Sequence, residues 1–252
     1  MMTGQQTLIR ACTGEILFGG RPSGYSGISA GVTACDGRYA LRAYCPSGEI
    51  VPSAEVLCCA GKYLWEQGIR ECPVTVMTKA DGEEHLVLVS TCSDRVTAVT
   101  AGIGKADFSP QKIPLRFEKP LINDVIPLAN GASVRLTALQ FQSPYGVIFL
   151  DTVGDCRVLE WGREISALNL FPQGVEILFA YVRAEKQLHL RAWHRDGSCS
   201  VQGNDVCAAV AAAVASGRCL PDTAVTVPLS DGSLRAVCTK DWDLFLTLPM
   251  PS

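Results

Sequence analysis

The chain has 252 residues, of which 48% are hydrophobic, and its formal net charge is −3. This length accommodates two domains with separate cores. A slightly acidic chain without blocks of like charge offers nucleic acid or an anionic membrane no electrostatic attraction, so we expect neither partner. The longest strongly apolar run covers about half of the roughly 20 residues that a membrane span requires, and the N-terminus lacks a signal-peptide pattern. We therefore expect a cytoplasmic protein.

In chain order, the first half predicts two strands joined at Asp36-Gly37, then a helix that begins after Pro52-Ser53 and ends near Gly68. An Asp-Gly pair is a strong hairpin signal, and glycine commonly ends a helix. Three further strands follow, the last in the segment TAVTAGIG. The proline-bounded segment 110–120 interrupts regular structure, so we predict an N-terminal domain of residues 1–118 and a C-terminal domain of residues 119–252.

The second half predicts the same order of elements. Strands are expected over 131–142, 145–153, 171–182 and 186–193, and an alanine-rich helix follows from about Asp205 to Ser216. This helix is apolar on nearly every face, so it should lie in the interior. We predict an α+β fold of two pseudo-symmetric domains, each a mostly antiparallel sheet wrapped round a central helix.

An internal repeat supports two related halves. Residues 41–68 align without a gap with residues 190–217, and Ser53 falls opposite Gln202. A period of about half the chain indicates two similar domains that face each other. The cleft between such halves is the natural place for a site.

The 12 cysteines show no metal-binding spacing. No Cys-x-x-Cys pair is present and the three histidines are scattered, so we expect no metal. Most cysteines lie in apolar contexts, where the residue behaves as a small hydrophobe, and we expect them to be reduced and structural. A redox role for the neighbouring Cys58 and Cys59 is the alternative.

The repeated segments resemble the two signature motifs of the diaminopimelate epimerase family. RAWHRDGSCSVQGNDVCAAVAAAVASG resembles the pattern E-R-G-x-G-E-T-x-x-C-G-T-G-A-C-A-A-A, and the first repeat resembles N-x-D-G-S-E-x-x-x-C-G-N-G-A-R-C. The resemblance implies two pseudo-symmetric domains, each with a central helix, and a cofactor-free active site between them. It also implies that in the family the cysteine opening each glycine motif exchanges a proton with the substrate α-carbon.

This chain departs from the family at both of those positions. Its Cys58-Cys59 pair and Cys207 align with later, structural cysteines, and Ser53 and Gln202 stand at the catalytic positions. A hydroxyl needs an activator to act as a base, and an amide cannot act as one. Two-cysteine racemisation is therefore not expected.

Two acidic residues near the helix starts are candidates for acid/base work. Glu55 and Asp205 each place a carboxylate in a first turn, where it can satisfy the backbone amides that hold the substrate carboxylate in the family. An α-amino acid would then meet repulsion. Helix capping is the alternative role for these carboxylates, and also for Ser53 and Gln202. The carboxylate-using phenazine-pathway isomerases of the same fold imply that acid/base catalysis by such residues has a precedent.

Further candidates for substrate binding come from the resemblance. Glu176 stands near a family asparagine, His194-Arg195 replace the family Glu-Arg pair, and Tyr145 lies in the segment matching Gly-Asn-Pro-His. Arg195 keeps a polar anchor of the family. A solvated surface position is the alternative for His194.

Three functions remain open. The first is a cofactor-independent isomerase or cyclase that works by positioning and desolvation, or by acid/base catalysis, on a small, largely apolar metabolite of specialised metabolism. The second is a divergent amino-acid racemase, and the third is a non-catalytic binding protein of the same fold. We expect no cofactor and a small-molecule partner, with a homodimer as one option. The candidate catalytic residues are Ser53, Glu55, Gln202 and Asp205 for the isomerase and a displaced Cys58, Cys59 or Cys199 for the racemase.

Overall fold

The computed structural model describes residues 6–11, 14–19, 25–79, 82–113, 115–116, 118–128, 131, 133–151, 158–168, 170–184 and 186–250. The chain divides into two compact units. The first comprises Met1–Ile103, Asp231–Leu234 and Phe245–Ser252, and the second comprises Gly104–Ser230 and Arg235–Leu244. The C-terminal strand pairs with a strand of the N-terminal half, and the boundary between residues 118 and 119 stays a prediction.

The secondary structure alternates strands with three helices in the described residues. Up to Lys105 the chain forms β1 (Thr7–Ala11), β2 (Gly14–Phe18), β3 (Ile28–Cys35), β4 (Arg38–Cys45), β5 (Gly48–Ile50), α1 (Ala54–Glu66), β6 (Val74–Thr78), β7 (Glu84–Cys92) and β8 (Arg95–Lys105). From Asp124 it forms β9 (Asp124–Pro127), β10 (Ser133–Phe141), β11 (Ser143–Phe149), α2 (Val158–Ser166), β12 (Glu176–Ala184), β13 (Gln187–Trp193), α3 (Gly203–Ala215), β14 (Val225–Leu229), β15 (Gly232–Cys238) and β16 (Asp243–Pro249). The final residues of the predicted strand 145–153 lie outside the described residues.

The sheets of both units are mixed, and most of their pairs are antiparallel. In the first unit the strand order is β1-β2-β3-β4-β6-β7-β8-β16, with β5 beside β4; β2 and β4 run parallel to β3 and β6 respectively. In the second unit the order is β14-β13-β12-β11-β10-β9, and the parallel pairs are β11 with β12 and β13 with β14. The predicted α+β class is confirmed.

Local signals in the sequence account for several of these elements. Asp36 and Gly37 both adopt positive φ, 47° and 76°, and turn the chain between β3 and β4 as predicted. Gly68 follows α1 with φ of 88°, a conformation that favours glycine, and the N–H of Ile69 donates to the carbonyl of Leu64 to close the helix end. The described residues between Ala106 and Asn123 form turns and one isolated bridge, so the predicted interruption is confirmed.

The two central helices have the same length and start at matching positions of the repeat. Each has 13 residues, and their first residues, Ala54 and Gly203, are opposite each other in the alignment. In the first unit α1 packs on β1, β2, β3 and β7, and in the second unit α3 packs on β10, β11, β12 and β13. Burial of nearly all of α3 agrees with its apolar composition on every face.

Helix α2 is an element that the sequence pattern does not predict. It buries Val158, Gly162 and Ile165, which share one helical face, against the core of the second unit. A Cβ on Gly162 would lie 2.3 Å from Cγ of Trp193, so only glycine permits this approach to β13. Within the described parts of the chain, no helix is long and apolar enough to cross a membrane.

Candidate functional site

An open cavity of about 490 Å³ lies in the second unit at the start of α3. Its lining combines the first residues of β11 and β12, the loop between β13 and α3, and the first turn of α3. Six of the eight candidate residues predicted from the sequence line it: Tyr145, Glu176, His194, Arg195, Gln202 and Asp205. The lining also contains four residues that are not among the candidates: Ser143, Asp196, Ser198 and Asn204.

Strand register brings the buried members of this group together. In the parallel pair of β11 and β12, Tyr145 is the partner of Glu176. In the antiparallel pair of β12 and β13, Ile177 is the partner of Trp193, so Glu176 lies beside the first residue after β13, His194. The hydrogen-bonded turn from His194 to Gly197 then directs the chain towards α3.

Both carboxylate oxygens of Glu176 accept hydrogen bonds within the protein. Oε1 accepts from Nε of Arg195 at 2.8 Å, and Oε2 accepts from the backbone N–H of Arg195 at 3.0 Å. Oε2 also lies 3.3 Å from Nδ1 of His194. Burial favours the neutral acid, but the hydrogen bonds from His194 and Arg195 outweigh it, so the pKa of Glu176 lies below its ordinary value. Glu176 is therefore an anion at neutral pH.

His194 lies between two carboxylates. In addition to the contact with Glu176, its Nε2 lies 3.3 Å from Oδ2 of Asp205 and 3.0 Å from the carbonyl oxygen of Ser200. Its side chain is only 12% exposed. The hydrogen bonds to Asp205 and then Glu176 outweigh the opposing effect of burial and raise the pKa of His194 to about 10. The ring is therefore an imidazolium at neutral pH, and the solvated position considered for His194 is excluded.

Asp205 serves both as a helix cap and as a partner of His194. Its Oδ2 accepts the backbone N–H of Gln202 at 2.8 Å, which satisfies a donor at the start of α3. The hydroxyl of Tyr145 also hydrogen-bonds to Asp205. Burial, followed by the charges of Asp205 and Glu176, raises the pKa of Tyr145 well above its ordinary value, so the phenol stays protonated. The carboxylate of Asp205 is thus held by three groups.

The rim of the cavity is fixed by hydrogen bonds that involve residues outside the motifs. Nδ2 of Asn204 donates to Oε1 of Gln142 at 2.6 Å, and Gln142 adopts a positive φ of 56° in the turn between β10 and β11. A terminal guanidinium nitrogen of Arg195 donates to the carbonyl oxygen of Gln173 at 3.1 Å. Gly174 allows this arrangement, because a Cβ there would lie 2.7 Å from Cδ of Arg195.

The remaining two candidates, Ser53 and Glu55, belong to the first unit and are not among the residues lining this cavity. Ser53 occupies the N-cap position of α1 with φ of −69° and ψ of 167°, but its side chain makes no capping hydrogen bond. Glu55 is buried in the first turn of α1. The catalytic roles of Ser53 and Glu55 remain predictions.

The thiols considered as displaced catalytic groups differ in exposure. Cys58 and Cys59 are fully buried in α1, and burial raises the pKa of Cys58 well above its ordinary value. Cys58 therefore stays as a protonated thiol. Cys199 is exposed in the loop before α3. The described residues contain no group of histidines, cysteines and acids placed to hold a metal ion.

Comparison with curated proteins finds diaminopimelate epimerases. The chain is 30% identical over 207 residues to that of Clostridium perfringens (strain 13 / Type A), covering 82% of this chain and 70% of the relative. It is 26% identical over 194 residues to that of Leptospira biflexa serovar Patoc, covering 76% of this chain and 68% of the relative. No family model matches the chain.

Solved structures show the same fold at low sequence identity. A hydroxyproline epimerase from Agrobacterium vitis has a TM-score of 0.66 and 13% identity, with 98% of this chain and 91% of that chain covered. A methylitaconate-delta-isomerase has a TM-score of 0.65 and 12% identity, with 98% and 92% covered. A phenazine biosynthesis protein of the PhzF family from Bacillus anthracis has a TM-score of 0.61 and 12% identity, with 96% and 93% covered.

Proposed function

The chain belongs to the diaminopimelate epimerase family, and we propose that it is an isomerase or cyclase that works on a small metabolite without a cofactor. The relatives support the isomerase class, because the structural neighbours include a hydroxyproline epimerase and a methylitaconate-delta-isomerase. The proposal places the reaction in specialised metabolism and does not include two-cysteine racemisation. It keeps proton shift, ring closure and cycloaddition as the reaction types.

The observation that carries this proposal is the imidazolium of His194 between Glu176 and Asp205 at the wall of the cavity. Opposite charges in fixed positions can stabilise charge that develops on a substrate, and they need no reorganisation during the reaction. A cavity of about 490 Å³ is large enough to hold and orient a small metabolite. Positioning and electrostatic stabilisation can promote a proton shift or a ring closure without a strong base.

Asp205 is the group we assign to proton transfer. It lines the cavity, and it hydrogen-bonds to Tyr145. Asp205 can accept a proton from one substrate atom and return it to another atom. The transfer is either direct or through Tyr145, whose hydroxyl accepts the substrate proton and donates its own proton to Asp205. Such a shift is balanced without a co-reactant. His194 stays protonated and stabilises the carboxylate.

The two alternatives, a racemase with a displaced cysteine and a non-catalytic binding protein, are less well supported. The positions equivalent to the family's catalytic cysteines hold Ser53 and Gln202, and Cys58 and Cys59 are buried. Only Cys199, among the three displaced candidates, is exposed to solvent. A non-catalytic binding protein would share the cavity but would show no turnover of any bound compound.

The proposal also includes the evolutionary origin of the two halves, the location of the protein in the cell and its oligomeric state. Origin of the two halves by duplication is supported by two helices of 13 residues that start at matching positions and are each followed by a glycine with positive φ, Gly68 and Gly217. A cytoplasmic location is supported by the composition. A homodimer remains an option that sedimentation can test.

The test is a search for products of unchanged mass. Purified protein is incubated with cyclic dienes, enones and hydroxylated rings, together with diaminopimelate, trans-4-hydroxyproline and methylitaconate, and products are detected by NMR. We expect one non-amino-acid compound to isomerise, with turnover reduced about 100-fold or more in Asp205→Asn. Glu160→Gln makes the same change at an exposed carboxylate on α2 and should leave turnover intact.

The same experiment can overturn the proposal. Epimerisation of diaminopimelate or hydroxyproline, with the other compounds unchanged, would establish the racemase alternative. Isomerisation at equal rates by the wild type and Asp205→Asn would remove Asp205 from the reaction. Binding of a compound without any turnover across the panel would favour the binding protein.

A further inference from the structure

We infer that Asp205 excludes anionic groups from the cavity at the start of α3, so that the cavity receives an uncharged end of its substrate, such as a carbonyl, hydroxyl or amide. This inference rests on the proposed function only in treating the cavity as the substrate site. It refines the expectation of a largely apolar metabolite, because every residue that lines this cavity is polar.

The cations that face the cavity are already paired inside the protein. Nε of Arg195 donates to Glu176, and a terminal nitrogen donates to a backbone carbonyl. His194 directs Nδ1 to Glu176 and Nε2 to Asp205 and the carbonyl of Ser200. A negatively charged ligand would have to compete with a carboxylate that is held at short range.

The acids facing the cavity outnumber these cations. Besides Glu176 and Asp205, the lining includes Asp196, whose carboxylate accepts the backbone N–H of Ser198 at 2.8 Å. This hydrogen bond lowers the pKa of Asp196, so it too is charged at neutral pH. Three carboxylates against two cations leave a negative surplus in the lining, which opposes a carboxylate or phosphate ligand.

Asp205 already occupies the place where an external carboxylate would be bound best. The backbone N–H of Gln202, the imidazolium of His194 and the hydroxyl of Tyr145 all converge on it. Charged and backbone donors arranged around one point are what an anion requires. Asp205 is 1% exposed and fills that position with the chain's own charge.

Neutral groups form the rest of the lining. The side chain of Gln202 is exposed at the start of α3, and in the capping box its carbonyl oxygen accepts the backbone N–H of Asp205, while its amide nitrogen can donate to a ligand. The hydroxyls of Ser143 and Ser198 can each donate and accept. Such groups match a neutral oxygen or amide, which binds without adding charge to the surplus.

The test compares two ligands of nearly the same shape, propionamide and propionate. Binding to wild-type protein, Asp205→Asn and Glu160→Gln is followed by NMR shifts of amides in α3. The wild type should bind propionamide about tenfold or more tightly than propionate. Asp205→Asn keeps an oxygen that can accept the Gln202 N–H but loses the charge, and its affinity for propionate should rise about tenfold or more. Glu160→Gln should behave as the wild type.

Several results would overturn the inference. These are wild-type binding of propionate as tight as that of propionamide, no detectable propionamide binding at the highest soluble concentration, or no gain of propionate affinity in a folded Asp205→Asn protein. If that variant does not fold, the wild-type comparison decides alone. Binding is measured without turnover, so the two proposals can fail separately. A preference for the carboxylate ligand overturns this inference and leaves isomerase activity open. A preference for the neutral ligand without isomerisation counts against the proposed function only.

Discussion

Nε2 of His194 lies 3.3 Å from Oδ2 of Asp205, so an ion pair joins the loop after β13 to the first turn of α3. The other ring nitrogen of His194 lies 3.3 Å from Glu176 at the start of β12. One imidazolium therefore connects a strand, a loop and a helix around the cavity. The stability of this region and the chemistry of the cavity should depend on the same residue.

Replacing His194 by glutamine should destabilise the protein. The substitution leaves Glu176 and Asp205, whose side chains are 12% and 1% exposed, without their shared cation. We expect the free energy of unfolding at neutral pH to fall by about 2–3 kcal/mol, measured by urea denaturation. His189→Gln is the control, because the buried Nε2 of His189 makes no hydrogen bond with the described residues. Equal losses in both variants would contradict the role of the ion pair.

The stabilisation by His194 should depend on pH. Folding raises its pKa from 6.5 to about 10. A raised pKa contributes stability that is complete below the unfolded pKa and is lost as the pH rises through the folded value. The difference in unfolding free energy between the wild type and His194→Gln should therefore be largest near about pH 6 and shrink towards about pH 10. A difference that grows with pH in urea titrations would contradict this assignment.

The contribution of Glu176 to stability should be lost at acid pH, whereas that of His194 is lost at alkaline pH. Its pKa is lowered from 4.5, so its contribution is present above that value and is lost as the pH falls through the folded pKa. Glu176→Gln should therefore be less stable than the wild type at neutral pH, and the two proteins should converge on acidification. The comparison is made by thermal unfolding over the acid range, with Glu160→Gln as the exposed control.

Cysteine labelling should separate structural thiols from accessible ones. Cys58 and Cys59 are fully buried, whereas Cys72, Cys92 and Cys199 are exposed. Iodoacetamide applied to the native protein should modify the exposed group and leave the buried pair unmodified, as read by mass spectrometry of peptides. Cys199→Ser should retain isomerase turnover. Loss of turnover in that variant would restore the racemase with a displaced cysteine.

Close packing of α1 on its sheet predicts a cost for adding one methyl group. A Cβ on Gly61 would lie 2.5 Å from Cγ1 of Val87 and 2.9 Å from Cγ1 of Val99. Gly61→Ala should lower the free energy of unfolding by about 1–3 kcal/mol. At Gly31, where a Cβ would meet nothing within 4 Å, alanine should change it by about 0.5 kcal/mol or less. Similar values for the two variants would contradict the packing described for α1.

The central helices could be predicted because local chemistry and the repeat agree. Pro52-Ser53 and Gly68 mark the two ends of α1, and the alignment with Gln202 and Gly217 transfers those limits to α3. Helix α2 was missed because it has nine residues and a central glycine, Gly162, which lowers helix propensity. Only packing against Trp193 makes that glycine favourable.

The contact between Glu176 and His194 in the cavity depends on strand register, which the sequence pattern does not determine. Glu176 and His194 meet because Ile177 pairs with Trp193. A signal was nevertheless present in the comparison with the family motifs. His194 replaces a family glutamate and Glu176 replaces an asparagine, and these two changes introduce complementary charges. Reading them as a pair would have indicated the contact.

The most direct measurement follows substrate protons by NMR while the protein is incubated in D₂O with diaminopimelate, trans-4-hydroxyproline, methylitaconate, and the cyclic dienes, enones and hydroxylated rings. We expect the α-proton signals of both amino acids to persist. We also expect one compound that is not an amino acid to rearrange without a change of mass, apart from any deuterium taken up. That rearrangement should require Asp205 and survive Glu160→Gln. Loss of the α-proton signal of either amino acid would show that the protein is an amino-acid racemase or epimerase and would contradict the proposed function.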